Sequence, residues 1–374
     1  MLSLYWINMK HLISIILFLI SFNIVGQFSD EQQHQLDSLN IIVTNPNSLD
    51  TSLASSYVAL SEILAASNLD TVLYLCEKAE VIAEKGLQNH PSDITKTSLL
   101  SSLGSALNNI GYVYNIKGNI PKALEYYHKS LKIFEELEGL EGTGAALLNI
   151  GGIYDSQGDN EKALEYYHKS LKMGEEIGDK SLVAVSLNNI GYVYSKQENF
   201  TKAVEYWNKS LTIYEEIGEN YGLAISLHNF GGFYSSLGDV PKSLKYFRRS
   251  LKIREEIGDK IGISMVLTNI GEAETKQGEF ASAEKHLQRS LELGKELGSP
   301  DRISEASLLL SDLAKNQGKY KLAMQMYELH IQMRDSTRNE ATQKASAQQE
   351  AKYEYEKQKT IDDAEHDKLL AIEQ

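Results

Sequence analysis

Apolar residues in the middle of this chain recur at i, i+3, i+4 and i+7, and the pattern restarts every forty residues. Leu107, Ile110, Gly111 and Tyr114 make the first such stripe, which predicts one face of an α-helix. Gly118-Asn119 then interrupts it, glycine being suited to the left-handed position after a helix. Pro121 fits the first turn of a second helix, where its missing N–H would have had no partner. That helix shows Ala123, Leu124, Tyr127, Ser130, Leu131 and Phe134 on one face. The third copy has Ala203, Val204, Trp207, Ser210, Leu211 and Tyr214 at the same places. Gly178, Gly218 and Gly258 are placed to end second helices, and Asp179 and Asp259 to cap the helices that follow.

Gly111, Gly151, Gly191, Gly231 and Gly271 mark the period. Around the first three the chain reads LNNIGYVYNIKGNIPKALEYYHKSL, LLNIGGIYDSQGDNEKALEYYHKSL and LNNIGYVYSKQENFTKAVEYWNKSL. Around the next two it reads LHNFGGFYSSLGDVPKSLKYFRRSL and LTNIGEAETKQGEFASAEKHLQRSL. An ungapped period of this length means one supersecondary unit copied in tandem. Such an array buries its apolar faces between neighbours and grows by addition rather than around one centre. The columns of Gly111, Ala123 and Ser130 are small so that helices can approach closely. A larger side chain there would cost roughly 1–3 kcal/mol per overpacked site.

Leu107-x-x-Ile110-Gly111-x-x-Tyr114, followed by Gly118, Ala123, Tyr127 and Ser130, resembles the tetratricopeptide repeat almost position for position. The forty-residue period departs from the usual thirty-four and is similar to the longer variant of kinesin light chain and several bacterial regulators. The resemblance implies an all-α fold: a right-handed superhelical solenoid of helix hairpins, with a C-terminal extended helix. Five strong copies cover 104–300 and a weaker sixth covers 306–335, with Ser311 in the glycine column, Gly318 and Ala323. A degenerate copy lies in Ser52 to Gly86, where Cys76 takes the place of Tyr127 and is expected to be a small buried hydrophobe. The expected organisation is a signal peptide at 1–26, helices with the degenerate repeat at 27–103, the array at 104–335 and a charged helical tail at 336–374.

The resemblance also implies where a ligand would lie. First helices of such arrays line the concave face, and the residue two before the glycine column points into it. Here that residue is Asn109, Asn149, Asn189, Asn229 and Asn269, an unbroken column. Each amide offers donor and acceptor together, which suits gripping peptide groups of an extended chain. The competing reading is that these amides bond neighbouring helices and stabilise the stack. The residue before each varies as Asn108, Leu148, Asn188, His228 and Thr268. The residue after each glycine runs Tyr112, Gly152, Tyr192, Gly232 and Glu272. If those side chains face the groove, Tyr112 and Tyr192 stand beside hollows at Gly152 and Gly232; duplication of a two-repeat block would give the same alternation.

Charge and chemistry narrow the field. The formal net charge is −14 over 374 residues, which opposes nucleic acid and anionic lipid as partners. The richest basic stretch, Lys242, Lys245, Arg248, Arg249, Lys252 and Arg254, precedes Glu255-Glu256 and reads as a solvated helix face. One cysteine allows no disulfide within the chain and no thiolate cage. His128 and His168 merely repeat at forty residues, no phosphate loop or nucleophile elbow occurs, and paired acids such as Glu135-Glu136 recur once per repeat. Gly139 to Gly144 is glycine-rich but joins two helices rather than following a strand. No enzyme activity, metal or cofactor is expected.

Met9-Lys10-His11 precedes an apolar run from Leu12 to Val25, then Gly26-Gln27. Fourteen helical residues span roughly 21 Å, short of the roughly 30 Å hydrocarbon layer, so the run reads as a signal peptide cleaved near Gly26, with an uncleaved anchor as the alternative. The expectation is an exported protein, periplasmic or membrane-associated in a bacterium, that binds protein or extended peptide without catalysis. A homodimer through the C-terminal helix is a further expectation. The rival is the sensory region of a signal transducer. Signal peptide, forty-residue repeats and charged helix resemble the extracytoplasmic part of bacterial sensor histidine kinases or nucleotide cyclases, whose membrane helix and catalytic domain are absent from this chain.

Overall fold

The computed structural model describes residues 30–64 and 69–336 of the chain. The expected signal peptide at 1–26, and all but the first residue of the expected helical tail at 336–374, lie outside the described residues. The chain divides into two compact units, 1–113 and 114–374, and each is taken by itself.

The described part of the first unit is helical: α1 (Asp30–Thr44), α2 (Asp50–Ile63), α3 (Leu69–Gln88) and most of α4 (Asp93–Ile116). Leu36 of α1, Leu60 and Leu64 at the end of α2, and Leu75 of α3 form its apolar cluster, with Tyr57 and Tyr74 packed against it. Cys76 is fully buried, as the degenerate repeat predicts. Burial pushes its thiol up to about 11, so it is an inert hydrophobe at neutral pH.

The second unit holds the repeats as helix pairs. After α5 (Ile120–Glu136) come α6 (Leu140–Ser156) and α7 (Asn160–Ile177), then α8 (Lys180–Lys196) and α9 (Phe200–Ile217). Next are α10 (Asn220–Ser236) with α11 (Val240–Ile257), and α12 (Lys260–Gln277) with α13 (Phe280–Glu296). The series closes with α14 (Pro300–Asn316) and a helix at 320–336, α15. The longer period appears as helices of 17 or 18 residues.

Local chemistry sets these boundaries. Gly178, Gly218 and Gly258 end their helices at φ of 71°, 67° and 72°, the left-handed conformation that only glycine adopts freely. The side chains of Asp179 and Asp259 accept from backbone N–H groups of the next first turn, and Glu219 does the same in the repeat between. Second helices begin on Asn119, Asp159, Asn199 and Asp239, whose side chains accept from the N–H three residues on at 3.1–3.3 Å. Each such cap is worth about 1 kcal/mol. The 139–144 run differs from expectation: α6 already starts at Leu140. Its glycines act by size, because a Cβ on Gly142 would strike the Phe134 ring and one on Gly144 would strike Leu182.

The glycine column does what its size implies. A Cβ on Gly151 would stand 2.8 Å from the Tyr167 ring, one on Gly191 2.6 Å from Trp207, and one on Gly271 2.5 Å from Leu287. Each of Tyr167, Trp207 and Leu287 therefore seats on the glycine of its own hairpin. The other side of such a ring meets the next first helix: Tyr127 packs with Ile150 and Ile153, and Tyr167 with Ile190 and Val193. Burying each such side chain contributes roughly 1.5–3 kcal/mol, and the contacts tie repeat to repeat. The serine column is more than small. Ser170, Ser210 and Ser250, all fully buried, donate to the carbonyls of Gly144, Ala184 and Ala224 at 2.7–2.9 Å, pinning each second helix to its partner.

Candidate functional site

The asparagine column lies on the first helices, and all five members are partly exposed. In the first unit Asn109 Nδ2 donates to Ser61 Oγ of α2 at 3.2 Å. In the second unit Asn229 donates to Asn188 Oδ1 at 3.1 Å, and Asn269 to His228 Nε2 at 3.4 Å. Both of these contacts reach back forty-one residues, from one first helix to the one before. Asn149 is engaged as well. For Asn189 the residue forty-one earlier is Leu148, which offers no acceptor. No side-chain hydrogen bond holds Asn189 among the described residues.

Two of the residues just before the column, Asn188 and His228, thus support its next member. Asn188 is buried, and its Oδ1 also accepts from Ser226 Oγ at 3.2 Å. Thr268 is buried and bonds Ser264 and Ser290. Asn108 stays partly exposed and engaged. His228 sits on the Phe247 ring at 5.4 Å, and its Nδ1 is buried without a partner. Desolvation, then the Arg254 charge, pushes its pKa down to about 4. The amide of Asn269 directed at Nε2 suits that neutral state, because a donor there disfavours a second proton.

Tyr112 and Tyr192 are exposed. The Lys196 ammonium lies 5.7 Å from the centre of the Tyr192 ring and is itself held by Asp155 of the preceding first helix at 2.8 Å. The hollows are open: a Cβ on Gly232 would meet nothing within 4 Å, and one on Gly152 only the Tyr167 hydroxyl at 3.7 Å.

A second periodic arrangement escaped the sequence reading. Tyr154 stacks on Tyr166, Tyr194 on Tyr206 and Tyr234 on Tyr246, with centroids 5.4–5.6 Å apart. Lys162, Lys202 and Lys242 lie over the first ring of each pair. In the fifth copy both tyrosine columns change together, to Glu274 and His286. Glu274 is fully buried, accepting from His286 Nδ1 at 2.7 Å and from Arg248 at 3.1 Å. The paired departure from two columns was the available signal for that contact.

Five of the six residues of the basic stretch pair in place: Lys242 with Asp239, Arg248 with Glu274, Arg249 with Glu215, Lys252 with Glu256 and Arg254 with Asp259. Arg254 departs from the solvated-face reading. It is buried in the column of Phe134 and Tyr214, its guanidinium folded beside Gly262. Among the described residues no group of histidine, cysteine and acidic side chains could hold a metal, and no helix is long and apolar enough to cross a membrane.

Three successive stretches, residues 102–176, 182–256 and 262–336, match the family described as Tetratricopeptide repeat. No curated protein matches the chain. Among solved structures, the apo form of RapI is similar at 20% identity over 76% of this chain and 99% of that one, with a TM-score of 0.55. Aspartyl phosphate phosphatase F from Bacillus subtilis is similar at 15% identity over 85% and 80%, with a TM-score of 0.54. A Rap protein complexed with Competence and Sporulation Factor is similar at 14% identity over 83% and 99%, with a TM-score of 0.50. At these identities the likeness is one of fold.

Proposed function

The chain belongs to the tetratricopeptide repeat family, and from that premise we propose that it is a non-catalytic scaffold binding protein or extended peptide across its first helices. The observation that carries this reading is Asn189. It stands at the same register as its neighbours, partly exposed, with its amide unengaged one turn before exposed Tyr192. A peptide group can take both the donor and the acceptor of that amide, as extended chains do on other helical grooves. Asn229 and Asn269 hold the wall of the groove in shape through Asn188 and His228, leaving their amide oxygens to the ligand. Formation of a complex by a Rap protein of the same fold supports the reading.

We propose further that the protein is exported, a reading supported by the apolar run before Gly26, so that its ligand would be met outside the cytoplasm. The test is selection from a library of short unstructured peptides, followed by calorimetry of the selected peptides with wild type and with Asn189→Ala. The substitution should weaken binding at least tenfold, about 1.4 kcal/mol, with helicity unchanged. Equal affinity for the two proteins would remove the groove from the account.

A further inference from the structure

In each interior repeat the second helix turns one apolar face to its own hairpin and another to the next first helix. The aromatic column records this: Tyr127, Tyr167, Trp207, Phe247 and Leu287 are each at most 3% exposed. Helix α15 is the second helix of the sixth repeat. Its inner face is occupied, with Met326 and Leu329 packed on the cluster of Leu287, Leu310 and Leu313, and His330 bonded to Ser304. Its outer face is not: Tyr320 is 72% exposed, Met324 65% and Tyr327, in that same aromatic column, 50%. The helix keeps the apolar columns of an interior repeat where a polar end face would be expected of a terminal one.

Tyr320, Met324, Tyr327 and Ile331 are spaced four, three and four residues apart, the spacing of a two-helix seam. We propose that this seam is closed by the same helix of a second copy of the chain, packed antiparallel about a two-fold axis. The chain that follows is poorly suited to close it. From 337 to 360, the length of the next helix, its only large apolar side chains are Tyr353 and Tyr355, and aliphatic residues return only at Ile361, Leu369, Leu370 and Ile372, so that stretch lacks an aliphatic pair like Ile150 and Ile153, which cover Tyr127. It also contains neither glycine nor proline to favour a reversal. The borders of the seam, by contrast, are self-complementary. Exposed Lys321 and Glu328 have no ion-pair partner among the described residues. They lie on one flank of the stripe, seven residues apart. Antiparallel pairing sets Lys321 of each copy beside Glu328 of the other, twice by symmetry, as a two-fold interface requires.

Sedimentation equilibrium of the full chain over a concentration series tests this, with circular dichroism to confirm that each variant is folded. Wild type should show a dimer, and Met324→Glu with Tyr327→Glu should show a monomer. Lys321→Glu alone and Glu328→Lys alone should each raise the dissociation constant several-fold, and the two together should restore it, a rescue no folding defect can imitate. A dimer indifferent to Met324→Glu with Tyr327→Glu overturns the proposal, and failure of the charge swap to rescue overturns the antiparallel register. A wild-type monomer overturns it too. Slow amide exchange over 320–336 would then assign the face to residues 337–374, and fast exchange would leave it to a different partner.

Discussion

Gly231 and Gly232 are consecutive residues of one helix, and adding one methyl group to each should have unequal effects. A Cβ on Gly232 meets nothing within 4 Å, so Gly232→Ala keeps only the gain in helix propensity, about 1 kcal/mol. A Cβ on Gly231 falls 2.5 Å from Phe247 Cε1 and 2.8 Å from Cγ, with Cδ1 closer still. The ring has nowhere to go: Phe247 is 1% exposed, packed among Leu244, Val266, Ile270 and Ala273, with His228 on its face. Gly231→Ala gains the same propensity but incurs about 1–3 kcal/mol of overpacking. It should therefore range from neutral to about 2 kcal/mol destabilising, leaving the two variants about 1–3 kcal/mol apart. An array unfolds through coupled neighbours rather than in one step, so native-state amide exchange of α10 and α11 reads the effect where it arises. Exchange there should slow in Gly232→Ala and speed up or stay level in Gly231→Ala. Equal slowing in both would refute the view that this column exists to seat the ring.

Glu198 occupies the column otherwise held by Gly118, Gly158, Gly238, Gly278 and Gly318, and it shares their positive φ at 59°. Left-handed backbone costs a non-glycine residue about 1–2 kcal/mol, part of which glycine returns through its greater unfolded-state freedom. Glu198→Gly should raise the urea midpoint by the equivalent of about 0.5–1 kcal/mol, and a lower midpoint would count against strain there. His228 makes stability depend on pH. Its folded pKa, near 4, lies below the ordinary 6.5, so the unfolded chain takes up the proton first. Its contribution is complete above about pH 6.5 and falls as pH drops towards 4, by at most roughly 3 kcal/mol. His228→Gln should flatten the stability profile between those limits, which denaturant titrations at pH 4.5 and 7 would reveal.

The aromatic columns and their glycines, the helix ends at Gly178, Gly218 and Gly258, and the caps at Asp179 and Asp259 were all legible along the chain. They depend on contacts within a hairpin or across one turn, and the forty-residue copying repeats those contacts in plain view. The candidate site was legible only as a column of asparagines. Which amides are engaged depends on the residue forty-one positions earlier, and that residue changes from Leu148 to Asn188 to His228. The Glu274, His286 and Arg248 cluster and the burial of Arg254 arise the same way, from side chains twelve to twenty-six residues apart or from the space beside Gly262.

The sequence by itself therefore determined the unit, its length, its ends and its number of strong copies, because short-range sterics and backbone hydrogen bonding specify a hairpin almost alone. Tertiary structure decided which amide remains unengaged at Asn189 and which apolar face remains bare at Tyr320, Met324 and Tyr327. Both are differences between equivalent positions, and only the neighbour packed against each position distinguishes them.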